Sequence, residues 1–330
     1  MFFVIVVRNS VSMKNNSKNK ITLPYLDDFL LYLQSNNYSD ETLYNYERDL
    51  MVFENFLDES SIPFDKVNKR TIESYKAYLS SIDRKTPIKV SVEKKLGSYS
   101  TNRFLSSLRS YFRYLIKMDY PSPIPPDAIT LIKKEKKVPK VPEFQDTVKL
   151  IESPSQLEKN QLVAKRNRAV LEVFFSTGMR ISELVNLKLN QINKEGQIYI
   201  LGKGKKERFV YLTPRASRYL KEYLKTRNDG SPYVFIPYSG RNKALKDKKI
   251  STNYIQYKLK QYREMLGINV PISPHAIRRA FATYLAESGA SPAAIQILLG
   301  HESLDTTTRY VQISNRYAKK VHEKFHPLKE

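Results

Sequence analysis

The stretch Thr177-Gly178-Met179-Arg180-Ile181-Ser182-Glu183-Leu184 ends one helix and begins another. The run Arg168 to Thr177 before it is apolar and helix-forming, and Gly178 supplies the left-handed stop. Arg180 therefore falls in a turn, with Glu183 three residues on and able to orient its guanidinium. A pre-oriented guanidinium fork suits two phosphate oxygens better than a flexible lysine does. Arginine in a tight turn is by default a surface residue, so the reading depends on its neighbours in the chain.

Downstream, Gln197 to Leu201 and Arg208 to Leu212 alternate and are β-prone. They predict a hairpin around Gly202-Lys203-Gly204-Lys205-Lys206. Glycines on both sides of Lys203 would let such a tip enter a groove, and Lys205, Lys206 and Arg208 read as DNA-facing cations. Thr213-Pro214, Ser273-Pro274 and Ser291-Pro292 each place a cap residue before proline at the first helical position. Helices should begin near 214, 274 and 292. His275 and Arg278 then share a face at a helix start, where a phosphate would meet a cation, a donor and the helix dipole. Gly300 ends the helix from Pro292 to Leu299, and His301 follows it. Tyr310 comes after Thr306-Thr307-Thr308-Arg309. With 23 tyrosines in the chain, no tyrosine is informative by itself.

Upstream, residues 21–120 read as a small basic helical bundle. Ser39 caps a helix starting at Asp40, with Leu43, Tyr46, Leu50, Phe53 and Leu57 on one face. Asn68 caps a second, carrying Ile72, Tyr75, Tyr78 and Leu79. A third runs from Tyr99 to Met118; its apolar stripe leaves Arg103 and Arg109 as candidate DNA contacts. Asp83 to Gly97 is polar and aperiodic, a loop. Prolines 121, 123, 125, 126, 139 and 142, around Lys133, Lys134, Lys136 and Lys137, make residues 121–142 a linker. A second domain, 143–330, follows. Residues 1–20 are expected to be disordered. Their apolar run, Phe2 to Val7, lacks the basic flank and cleavage site of a signal peptide, and Met13 is a second candidate start.

The chain has 330 residues, enough for two cores, and a formal charge of +23. So basic a protein usually meets a polyanion, above all nucleic acid. It has no cysteine, which excludes disulfides and thiolate metal sites and fits a cytoplasmic setting. No apolar run approaches the roughly 20 residues of a membrane span.

Five motifs, Gly178 to Leu184, Gly202 to Arg208, His275-x-x-Arg278, Leu298-Leu299-Gly300-His301 and Arg309-Tyr310, together resemble the tyrosine recombinase family, most closely its short Xer-type members. The resemblance implies a mainly α fold with a small β hairpin: a SAM-like core-binding domain, then a mixed α/β catalytic domain. It implies site-specific cutting and rejoining of DNA through a 3′-phosphotyrosyl intermediate. Tyr310 would be the nucleophile, with Arg180, Lys203, His275, Arg278 and His301 catalytic and Glu183 in support. No metal, ATP or other cofactor is implied. The implied partners are a double-stranded recombination site, a homo- or hetero-tetramer of protomers on two sites, and a DNA-translocase activator. The tail from Val311 to Glu330 would dock on a neighbouring subunit.

Within the family, an Xer-like role in chromosome dimer resolution competes with integration or excision of a mobile element. Short length before the first helix favours the former. A catalytically inert DNA-binding protein and a type IB topoisomerase are rivals from other classes. His322-Glu323-Lys324-Phe325-His326 formally matches a zinc-hydrolase motif, but a catalytic zinc needs a third protein ligand and none lies near.

Overall fold

The computed structural model describes residues 22–81, 95–134, 141–201, 207–240, 243 and 245–300. It divides into two compact units, Met1–Lys137 and Val138–Glu330. Among the described residues, no helix is long and apolar enough to cross a membrane.

The first unit contains α1 (Leu26–Ser35), α2 (Asp40–Glu59), α3 (Lys69–Ser80) and α4 (Ser98–Lys117). Ser39 caps α2 by accepting from the Thr42 amide at 3.3 Å, and Asn68 forms a reciprocal capping box with Thr71 at the start of α3. Both caps stand where the sequence places them. Helix α1, not assigned from sequence, buries Leu26, Phe29 and Leu33 against the others. The core is strongly aromatic: Phe29, Phe53, Tyr75, Tyr111 and Phe112 are all fully buried. Phe53 meets the Tyr75 ring edge-on at 4.8 Å, which joins α2 to α3. The expected loop at 83–97 lies, up to residue 94, outside the described residues, as do residues 1–20.

Asp49 lies buried between α2 and α4, where Oδ2 accepts from Arg103 Nη1 and Ser107 Oγ, each at 2.8 Å. Burial pushes its carboxyl above the ordinary value, by more than Arg103 and Ser107 pull it back. Arg103 is thus held by one end while about half its side chain stays open to solvent. Arg109 is tied inward instead, donating from Nε to the Ile129 carbonyl at 3.1 Å.

The first part of the expected linker belongs to this unit. Ile124 and Ile129 are buried in its core. The Asn102 side chain brackets Ile132, accepting from its amide and donating to its carbonyl, both at 2.9 Å. Isoleucines interleaved with the prolines bury the strap. Proline's missing donor matters little where side chains supply the backbone partners. Residues 135–140 are outside the described residues.

The second unit contains α5 (Phe144–Glu152), α6 (Pro154–Leu157), α7 (Gln161–Thr177), α8 (Ile181–Val185), β1 (Gln197–Leu201), β2 (Glu207–Tyr211), α9 (Pro214–Leu224), α10 (Thr252–Met265), α11 (Pro274–Glu287) and α12 (Pro292–Leu299). Helices α9, α11 and α12 begin at the expected prolines. Thr213, Ser273 and Ser291 each accept from the amide three residues on, at 3.2 Å. Helix α7 starts earlier than its apolar run predicts, because Asn160 caps it. Its polar residues Arg166, Asn167 and Arg168 are buried. Arg166 donates to Asn167 and to the Ile236 carbonyl and lies 4.6 Å from the Tyr254 ring, while Asn167 donates to Tyr262 at 2.7 Å. Such satisfied polar burial is invisible to hydropathy.

The antiparallel hairpin pairs Ile198 with Val210 and Ile200 with Arg208, all facing inward. At the far end of α7, Gly178 takes φ 58°, and a Cβ there would stand 2.3 Å from Cδ1 of Phe281 on α11. Glycine is required both for the backbone and for the close approach. Gly178→Ala should therefore lower stability in urea unfolding by more than about 1 kcal/mol. Combined with Phe281→Ala, its cost should be less than the sum of the two, since both act on one contact. Full additivity would dissociate the glycine from the ring.

Candidate functional site

The site assembles from helix ends. An α-helix leaves its last carbonyls without intrahelical partners and carries partial negative charge there. At the end of α12, three consecutive carbonyls each receive a different arginine. Leu298 accepts from Arg208 Nε at 3.0 Å, Leu299 from Arg278 Nη2 at 2.5 Å and Gly300 from Arg180 Nη2 at 3.3 Å. Arg278 also donates from Nη1 to the Gly178 carbonyl at 2.9 Å, so it joins the ends of α7 and α12. It comes from the second turn of α11, three residues after His275, which is exposed.

Glu183 collects the arginines from the other side. Arg208 grips both its oxygens, at 2.9 and 2.7 Å, and Arg180 Nη1 donates to Oε1 at 3.1 Å. The Arg180 backbone amide donates to Oε2 at 2.6 Å, the acidic half of a capping box at the start of α8. Burial pushes the Glu183 carboxyl up, but the Arg208 hydrogen bonds and charge, helped by Arg180, outweigh it and hold the carboxyl below its ordinary value. Of the two arginines on Glu183, Arg180 is 35% exposed and Arg208 only 6%. Arg180 is thus the solvent-facing member of this pair.

The structure brings together Arg180, Glu183 and Arg278, and puts His275 on the same helix as Arg278. Lys203, Lys205, Lys206, His301 and Tyr310 lie outside the described residues, as do the 311–330 tail and His322 to His326. Arg103 and Arg109 belong to the first unit. Arg208 differs from expectation. It is no hairpin-surface cation: its guanidinium is buried and taken up by Glu183 and Leu298. The strand's own alternation carried the signal, since period two puts Arg208 with Val210 inside and Phe209 and Tyr211 outside. The receiving carbonyls of Gly178, Leu298 and Leu299 were not anticipated, because backbone groups have no sequence signature. Among the described residues, no group of three or more His, Cys, Asp or Glu could hold a metal ion.

A helical unit thus precedes a hairpin-bearing unit that clusters arginines at its helix ends, in keeping with the resemblance carried by the sequence motifs. Comparison with known proteins agrees. The Phage integrase family model matches residues 143–316, and the model of the phage integrase N-terminal SAM-like domain matches 26–118. The chain is 35% identical over 307 residues to tyrosine recombinase XerC of Leptospira interrogans, covering 91% of this chain and 92% of that one. It is 29% identical to tyrosine recombinase XerD of Staphylococcus epidermidis, covering 92% and 98%. The chain belongs to the phage integrase family and is a tyrosine recombinase. In fold it is similar to XerH site-specific recombinase bound to palindromic difH substrate (TM-score 0.66, 19% identity, 94% and 91% covered). A lambda integrase dimer bound to a core site gives the same TM-score at 17% identity, with 87% and 76% covered.

Glu183→Gln removes one partner of a buried ion pair and should cost about 3 to 5 kcal/mol in urea unfolding at pH 7. Because the folded carboxyl titrates below its ordinary 4.5, its contribution is complete above that pH and lost as pH falls through the folded value. The gap between native and variant protein should therefore narrow below about pH 4.5. A gap of constant size down to pH 3 would show that the carboxylate charge is not its source.

Proposed function

We propose that this chain performs site-specific recombination of double-stranded DNA, with Tyr310 as nucleophile, in the resolution of chromosome dimers. The observation that carries the chemistry is the Arg180 guanidinium, fixed by Glu183 and by the end of α12 yet one-third open to solvent. It is a preset donor for a non-bridging phosphate oxygen. Arg278, buried and held by the Gly178 and Leu299 carbonyls, is the second cation at the phosphate, with His301 hydrogen-bonding the same phosphate and His275 handling protons.

The Tyr310 phenolate attacks phosphorus, the bond to the 5′ oxygen breaks, and Lys203 gives that oxygen a proton. A phenol has a reference pKa of about 10, and neighbouring cations favour its ionised form. The transition state carries more negative charge on the phosphoryl oxygens than the ground state, so fixed cations stabilise it selectively. A 5′ hydroxyl of the second strand reverses the step and releases Tyr310. The phosphodiester energy is retained in the 3′-phosphotyrosyl bond, and no cofactor is called for. Lys205 and Lys206 neutralise backbone phosphates, as does the open end of Arg103. Four protomers act on two sites in the cytoplasm, licensed by a DNA translocase. The Xer-type role is supported by relatives named XerC and XerD that match over nine-tenths of the chain.

On a nicked suicide duplex, the native protein should form a covalent adduct seen on a denaturing gel, and Tyr310→Phe should form none while still binding. An undiminished adduct in that variant would end the assignment. Arg180→Ala should slow adduct formation by about 10² to 10³. Duplex affinity should fall steeply between about 50 and 200 mM salt, as neutralised phosphates regain counterions. Mapping the bound locus by immunoprecipitation separates the biological roles: a peak beside the replication terminus supports dimer resolution, and one at the end of a mobile element replaces it with integration.

A further inference from the structure

Arg208 is the second residue of β2, just after the segment that contains Lys203 in the sequence. From there its guanidinium reaches two other elements. Both ends of its fork donate to Glu183 beside Arg180, and Nε donates to Leu298 near the end of α12. Gly300 closes over its stem. A Cβ at that position, where φ is 62°, would stand 2.9 Å from Arg208 Cδ and 3.3 Å from Nε and Nη1. The next residue in the chain is His301. Nε, Nη1 and Nη2 of Arg208 are each engaged by these partners, two of them by a carboxylate that neutralises the charge.

We propose that Arg208 is a positioning residue for strand cleavage: it ties the end of β2 that follows the Lys203 segment both to the end of α12 and to the carboxylate that orients Arg180. This rests on the reading above, that these groups perform tyrosine-dependent cleavage. The same arginine then sets the relative placement of three segments whose next or neighbouring residues are Lys203, Arg180 and His301. Lysine cannot replace it. An ammonium keeps the charge, but a single point donor does not span both carboxylate oxygens and a carbonyl on a third element. A displacement of about 1 Å in such a constellation costs about 10²-fold in rate.

The test uses the full chain and a nicked duplex built from the mapped locus. Affinity, salt dependence and single-turnover adduct formation are measured for Arg208→Lys and Arg208→Gln. Measurements are made at a temperature well below each variant's unfolding midpoint. Both variants should bind within about twofold of the native protein with an unchanged salt slope, and both should form adduct about 10²-fold more slowly at saturation. Gly300→Ala gives a second handle that leaves every charge in place. It should crowd Arg208 off Leu298 and slow the adduct step with affinity intact.

If Arg208→Lys cleaves normally while Arg208→Gln binds weakly with a salt slope lower by about 0.9, Arg208 contacts a phosphate and the inference fails. If folded variants all cleave at the native rate, Arg208 serves only packing and the inference also fails. Either failure leaves the native adduct intact. Absence of adduct from the native protein would instead overturn the reading on which the inference rests.

Discussion

A single buried carboxylate organises the second unit. Glu183 is the N3 residue of a very short helix, and its oxygens serve at once as cap, counter-ion and fork partner. Burying a carboxylate is unfavourable unless its charge and lone pairs are met. Here two arginines and a backbone amide meet them, and the carboxyl stays ionised because they outweigh its desolvation. The arrangement concentrates positive charge that would otherwise repel itself. Helix ends do the rest: the carbonyls at the ends of α7 and α12 that no helix can satisfy accept from Arg180, Arg208 and Arg278. Backbone and side chain thus settle each other's deficits in one place.

Glycine makes that density possible. Gly178 and Gly300 both end helices in the left-handed region, and both sit where a methyl group would overlap a neighbour, Phe281 in one case and Arg208 in the other. Each therefore terminates a helix and opens room for a close approach. Only the termination is legible in the sequence; the close approaches come from segments far away in the chain. Arg208 belongs in sequence to the cations around Lys203, but the pleat of β2 turns it to the inside.

The first unit depends on a different constraint, an aromatic core closed by a proline-bearing strap. The periodic placement of Phe53, Tyr75 and Phe112 was legible because each recurs at helical spacing on an amphipathic segment. The strap was not. Ile124, Ile129 and Ile132 follow no helical or strand period, and the strap is held by Arg109 at Ile129 and by Asn102 at Ile132, reached across sequence distance.

By itself, the sequence determined the class of fold, the caps at Ser39, Asn68, Thr213, Ser273 and Ser291, the hairpin, and the grouping of motifs around Arg180 and Arg278. All of these are local: capping, helix termination and strand alternation are decided within a few residues. Only the tertiary structure decided which arginine faces solvent, which is buried, where the first unit ends and what holds the guanidinium groups in place. Those outcomes depend on carbonyls and carboxylates brought together from segments 20 to 120 residues apart, as in Arg208 with Glu183 and Arg180 with Gly300. Desolvation and pairing act on that assembled environment and not on the residue that carries the charge.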